Sequence, residues 1–91
     1  MNKPIQVNVL GKPYLINYAS VLEMKGNLGT VERSKQIINI DSESQGEDQF
    51  NETLLHEIIH IIDGELILGL SEETVARLAV GLYSAGYGKL C

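Results

Sequence analysis

The sequence has no tryptophan, a single phenylalanine and a single cysteine among 91 residues. Four tyrosines complete the aromatics, so the core has to be built from aliphatic side chains. The lone Cys91 cannot close an internal disulfide, and nothing directs the chain to an oxidising compartment. No apolar run reaches the roughly 18 residues of a membrane span. The amino-terminal MNKPIQVNVLGKPY also lacks the long apolar stretch of a secretory signal. The expectation is therefore a cytoplasmic protein without a membrane partner. Positive charge is scarce as well. With 7 Lys and Arg against 12 Asp and Glu, the net charge is -5, which argues against nucleic acid as a partner.

What is present describes one globular domain spanning residues 1–91, with 44% apolar and 21% charged residues. Its charge is unevenly placed. Between Gln36 and Ala76 there are ten acidic residues and no Lys or Arg, while the remainder holds all seven basic residues and only Glu23 and Glu32. Such a stretch forms a solvated face, and it also attracts cations.

The alternation over Ile5–Leu10 predicts a strand, Gly11-Lys12 a tight turn, and Tyr14–Tyr18 the returning strand, with Pro13 at its edge end. A short helix or turn is expected over Ala19–Lys25, followed by breaks at Gly26-Asn27 and Gly29. A second strand pair is read at Thr30–Arg33 and Gln36–Asp41, with the acidic SESQGED that follows as a loop. From there the period changes. Leu54, Leu55, Ile58, Ile59, Ile61 and Ile62 recur at helical spacing, predicting a helix over about 48–63 with Gly64 just past its end. Ser71 then caps a second helix over about 71–86, with Val75, Leu78, Ala79 and Leu82 as its buried stripe. Strands first and helices last make an α+β domain: a small antiparallel sheet over about 5–41, then two helices.

Both histidines of the chain fall in one pentapeptide, His56-Glu57-Ile58-Ile59-His60, inside the first helix. Residues four apart share a helix face, so two imidazoles can reach one Zn²⁺ at about 2.0–2.1 Å. Glu57 projects beside that position, where it can accept a proton from metal-bound water without being a ligand. Zinc in hydrolases takes three protein ligands and keeps a position open for water. With no third histidine and Cys91 remote, the third ligand should be a carboxylate, and Asp63, Glu65, Glu72 and Glu73 are the candidates. Asp63 lies on the histidine face two turns from His56 and is expected to hydrogen-bond a ligand imidazole and fix its tautomer. A second helix packing antiparallel would bring its first turn near His60. Glu72 follows the middle of its apolar stripe and Glu73 the edge that faces a cleft. Glu73 is thus the first expectation and Glu72 the alternative.

These residues make the chain resemble the gluzincin class of zinc metallopeptidases. It is most similar to the very small zincin-like proteins of phages and prophages, and more distantly to the ImmA/IrrE-type peptidases. The resemblance runs from about Gly26 to Tyr87 and rests on the strand pair ending IINID, on TLLHEIIHIID and on LSEETVARLAVGLY. It implies zinc on His56 and His60, Glu57 as general base, and a glutamate of the next helix as third ligand, which the pattern Glu-x-apolar-Ala matches at Glu73. It also implies that the strand ending at Asp41 is the edge strand that pairs with an extended peptide or protein substrate. Larger members wall off a second side of the cleft with a further subdomain, which this chain lacks. Tyr83 and Tyr87 are candidates for the oxyanion on chemical type alone. Three functions follow as expectations: a minimal zinc metallopeptidase; a zinc-stabilised, catalytically inactive binding module of phage or mobile-element origin; or a metal-free domain whose acidic surface takes a basic partner.

Overall fold

A computed structural model describes residues 5–88; Cys91 lies outside them. Four strands and three helices follow in the order β1 (Gln6–Val9), β2 (Lys12–Ala19), α1 (Val21–Met24), β3 (Gly29–Glu32), β4 (Ile37–Asp41), α2 (Glu47–Leu66) and α3 (Glu72–Ser84). The α+β reading, strands first and two long helices last, is what the structure has. No helix among the described residues is long and apolar enough to cross a membrane.

The sheet order is β1-β2-β4-β3. Both hairpins are antiparallel as expected, but β2 and β4 run parallel, so the sheet is mixed and not wholly antiparallel. Parallel neighbours need a crossover, and α1 with β3 supplies it. Ser20 closes a reciprocal capping box with Glu23 at the start of α1. The parallel register sets Ile16 beside Ile38 and Tyr18 beside Ile40. This placement makes β4 an interior strand and β3 the edge, which corrects the expectation that the strand ending at Asp41 is the free one. The first turn also sits one residue earlier than its sequence suggests: Leu10 and Gly11, both at positive φ, form it.

One face of the sheet carries the main core, where Val9, Tyr14, Ile16, Ile38 and Ile40 meet Phe50, Leu54 and Ile61 of α2. Tyr18 stacks on Phe50 with ring centroids 5.4 Å apart. The opposite side of α2 buries Leu55 and Ile59 against Val75 and Ala79 of α3. Helix α2 is thus the middle layer of three, and its apolar positions divide between two partners. It does not stop at Gly64. It continues to Leu66 and ends at Ile67, whose left-handed φ of 52° costs a β-branched residue about 1–2 kcal/mol. Gly64 instead lies beneath the Arg33 guanidinium from the β3–β4 turn.

Candidate metal centre

The middle of α2 brings His56 and His60 to the same side, with ring centroids 4.8 Å apart and Nε2 atoms 3.1 Å apart. The carboxylate of Glu72, first residue of α3, closes over both: one oxygen lies 2.6 Å from His56 Nε2 and the other 2.8 Å from His60 Nε2. Ser71 fixes this end of α3 by accepting a hydrogen bond from the Thr74 N–H. The three side chains offer ligand atoms within 4.8 Å of one another.

The cluster can be held by hydrogen bonds or by a cation. If each imidazole donates its Nε2 proton, each finds its own oxygen of Glu72, and the two N–H groups stand 3.1 Å apart. A metal ion takes one lone pair from each of the three residues instead. Ligands held tetrahedrally about 2.0–2.1 Å from zinc stand roughly 3.4 Å apart, so the separations of 2.6, 2.8 and 3.1 Å would have to open by roughly 0.3–0.8 Å to admit the ion. Two imidazoles and one carboxylate are a donor set that suits zinc.

The structure brings Glu72, the alternative expectation, to the two histidines. Glu73, the first expectation, pairs with Arg77 one turn along α3 and does not join the histidines. Asp63 does not touch either imidazole. Its Oδ1 accepts the Leu70 N–H at 2.9 Å, and its carbonyl accepts the N–H groups of Ile67 and Leu68. It holds the α2–α3 connection, because α2 runs on past it and its carboxylate turns toward the loop. Glu65 lies away from the histidines too, paired with Lys12 at 3.3 Å and Arg33 at 3.8 Å. Tyr83 donates to Asp48 at 2.6 Å, two turns before His56, and Tyr87 is exposed. Neither lines the cleft beside the histidines.

Glu57 sits in that cleft, 7% exposed. Burial raises its pKa above the ordinary carboxylate range; His56 and His60 pull it back, and Glu72 pushes it up again. Its aliphatic stem passes so close to β3 that a Cβ on Gly29 would lie 3.1 Å from Glu57 Cγ and 2.9 Å from Thr53 Cγ2. Only glycine lets α2 approach the edge strand this far. The contact is stitched from the other side by Gln45. Its amide donates to Asp41 O at 2.7 Å and Leu28 O at 3.3 Å, while its Oε1 accepts from the Thr53 hydroxyl at 2.6 Å. The cleft has a volume of about 570 Å³, walled by α2 from Gln49 to His60 and by residues 26–29.

Gln45 and Thr53 escaped the sequence reading, and Gly29, read there only as a chain break, opens β3 beside Glu57. Thr53 lies one turn before His56 on the motif face, which is a detectable signal. Gln45 and Gly29 carry none, since their role depends on strand order. No protein-family profile matches the chain, and no curated protein or solved structure matches it.

Proposed function

We propose that this protein is a zinc-dependent metallopeptidase of minimal, zincin-like build, with His56, His60 and Glu72 as the metal ligands and Glu57 as the general base. The observation that carries the reading is the convergence of two imidazoles and a carboxylate from separate helices, beside a buried carboxylate that ligates nothing. A bound zinc ion would supply Lewis acidity, lowering the pKa of water and stabilising charge on a carbonyl oxygen.

The chain's own residues account for the rest. Glu57, its stem close against Gly29 of β3, takes the proton of the attacking water and delivers it to the leaving amine. Burial raises its proton affinity, which favours its role as proton acceptor. Substrate is held by the edge strand. Asp41 N–H bonds Leu28 O, so in the alternating ladder Gly29 and Val31 turn their backbone groups away from β4, toward the free edge beside Glu57. An extended peptide adds there by main-chain hydrogen bonds. A cytoplasmic setting fits a chain with a single cysteine.

The test is metal analysis and peptide hydrolysis on protein purified without an affinity tag. One zinc per chain is expected, with Glu57→Gln retaining the metal and losing hydrolysis; loss of zinc in that variant refutes the role given to Glu57. A second reading, a zinc-stabilised module that cleaves nothing, draws on the way Glu72 bridges α3 to α2. Under that reading chelation lowers the melting temperature sharply, yet no peptide is cut by the zinc-loaded protein.

A further inference from the structure

We infer that the cleft selects peptides with a lysine or arginine within two residues of the reacting carbonyl, and that Glu52 is the residue that reads this positive charge. The inference deepens the peptidase reading and rests on it. Glu52 stands one turn before His56 on α2, a rise of about 6 Å, and it lines the same cleft. A peptide laid along β3 advances about 3.3 Å per residue. A side chain one or two places from the bond that faces His56 therefore comes opposite Glu52.

The charge around this position has one sign. Glu52, Glu57 and Glu72 line the cleft, and no Lys or Arg is among its described lining residues. A divalent ion on the histidines and Glu72 still leaves the cavity with an excess negative charge. Most other acidic groups of the two helices are engaged, Asp48 by Tyr83, Asp63 by Leu70, Glu65 by Lys12 and Arg33, Glu73 by Arg77, and Glu47 at the start of α2 does not line the cleft. Glu52, by contrast, has no hydrogen-bond or ion-pair partner among the described residues. Glu57 points independently to a ligand, since it is more than nine-tenths buried, faces the same space and bonds to no described residue. A half-buried carboxylate left facing a cavity attracts a cation from the solution side, whereas an acidic substrate residue there is repelled.

The experiment uses the full chain, zinc-loaded, and a set of neutral decapeptides in which one position at a time is Lys, norleucine or Glu. Binding is read by fluorescence anisotropy on Glu57→Gln, and cleavage on the parent protein. At one position Lys should bind about fivefold tighter than norleucine, and Glu more weakly than either. The Lys advantage should shrink below twofold when Glu52→Gln is added and pass to the Glu peptide when Glu52→Lys is added. It should also fade as salt rises. The inference is overturned if no position favours Lys, or if the preference survives Glu52→Gln. A Glu52-dependent preference with no cleavage by the parent protein sinks the peptidase reading and leaves charge recognition standing. Cleavage without any charge preference does the reverse.

Discussion

Gly29 and Gly64 both lie beneath nearby side chains, and replacing each with alanine should affect stability differently. At Gly29 the added Cβ would come within 2.9 Å of Thr53 Cγ2, 3.1 Å of Glu57 Cγ and 3.2 Å of Glu57 Oε2. Thr53 is a β-branched residue in a helix with its χ1 confined, and its hydroxyl is tied to Gln45. It cannot swing aside, so strand and helix must separate. Overpacking of this kind costs about 1–3 kcal/mol, and the stiffer unfolded chain returns about 0.4–1 kcal/mol. Gly29→Ala is therefore destabilised by about 1–2 kcal/mol, a fall in melting temperature of roughly 4–16 °C for a domain this size.

At Gly64 the approach is closer, 2.6 Å to the Arg33 guanidinium carbon, yet the outcome differs. The obstructing atoms are the end of a long side chain, 46% exposed, which can leave. Its departure removes an exposed pairing with Glu65 at 3.8 Å, worth at most about 1 kcal/mol and less in salt. Replacing a helix-interior glycine by alanine returns about 1 kcal/mol, so Gly64→Ala should be neutral or more stable. Urea unfolding of both variants in EDTA, compared at unchanged m-value, measures the contrast. The reasoning fails if Gly29→Ala matches the parent protein, or if Gly64→Ala is the less stable of the two.

Zinc at a hundredfold excess over its Kd should stabilise the protein by about 2.7 kcal/mol, read as a rise in melting temperature that His60→Ala abolishes; an equal rise in that variant refutes the site. Glu72→Gln should weaken zinc binding at least tenfold while Glu73→Gln leaves it within twofold, both by calorimetric titration, and equal effects would remove Glu72 from the ligand set. Asp41 has its pKa lowered by the Ser44 hydroxyl and by the N–H groups of Ser44 and Glu43. It therefore contributes stability that is full above its unfolded value near 4 and is lost as pH falls through the native one. Asp41→Asn should flatten that acid limb in pH-dependent unfolding, and superimposable limbs would refute the assignment. Tyr83→Phe should leave zinc affinity and hydrolysis unchanged, because its hydroxyl serves Asp48 and not the cleft; a large loss of turnover would restore it as an oxyanion donor.

The readable parts of this chain were those that local chemistry decides. Alternation over Gln6–Val9 and Tyr14–Tyr18, the helical period from Leu54 to Ile62, and the Ser71 cap each act within a few residues. The order of the strands was hidden, because a parallel β2–β4 pairing leaves the same apolar alternation as an antiparallel one. The end of α2 was hidden for a related reason. Glycine after a helical run normally marks a stop, but Gly64 is retained inside the helix where Arg33 crosses it. Asp63 read as a partner for a histidine because a helical wheel shows which face a residue shares and not how far along the axis its carboxylate turns.

The exchange of Glu73 for Glu72 has the same origin and says how this small fold builds its site. A ligand placed at the edge of the α3 stripe presumes that the stripe's centre is filled by packing along its whole length. Val75 and Ala79 are small, and they let α3 close onto Leu55 and Ile59 of α2. Glu72 precedes Val75 by three residues and Ala79 by seven, so it lies on that same buried line. His56 and His60 each follow one of the contacted residues, Leu55 and Ile59. The three polar groups thus lie along the flank of the helix–helix interface, where a carboxylate from one helix overhangs imidazoles from the other. Among the described residues, the packing of α3 on α2 also assembles the candidate metal centre. A substitution that separates the two helices, such as a larger residue at Ala79, should therefore also disturb the approach of Glu72 to the histidines.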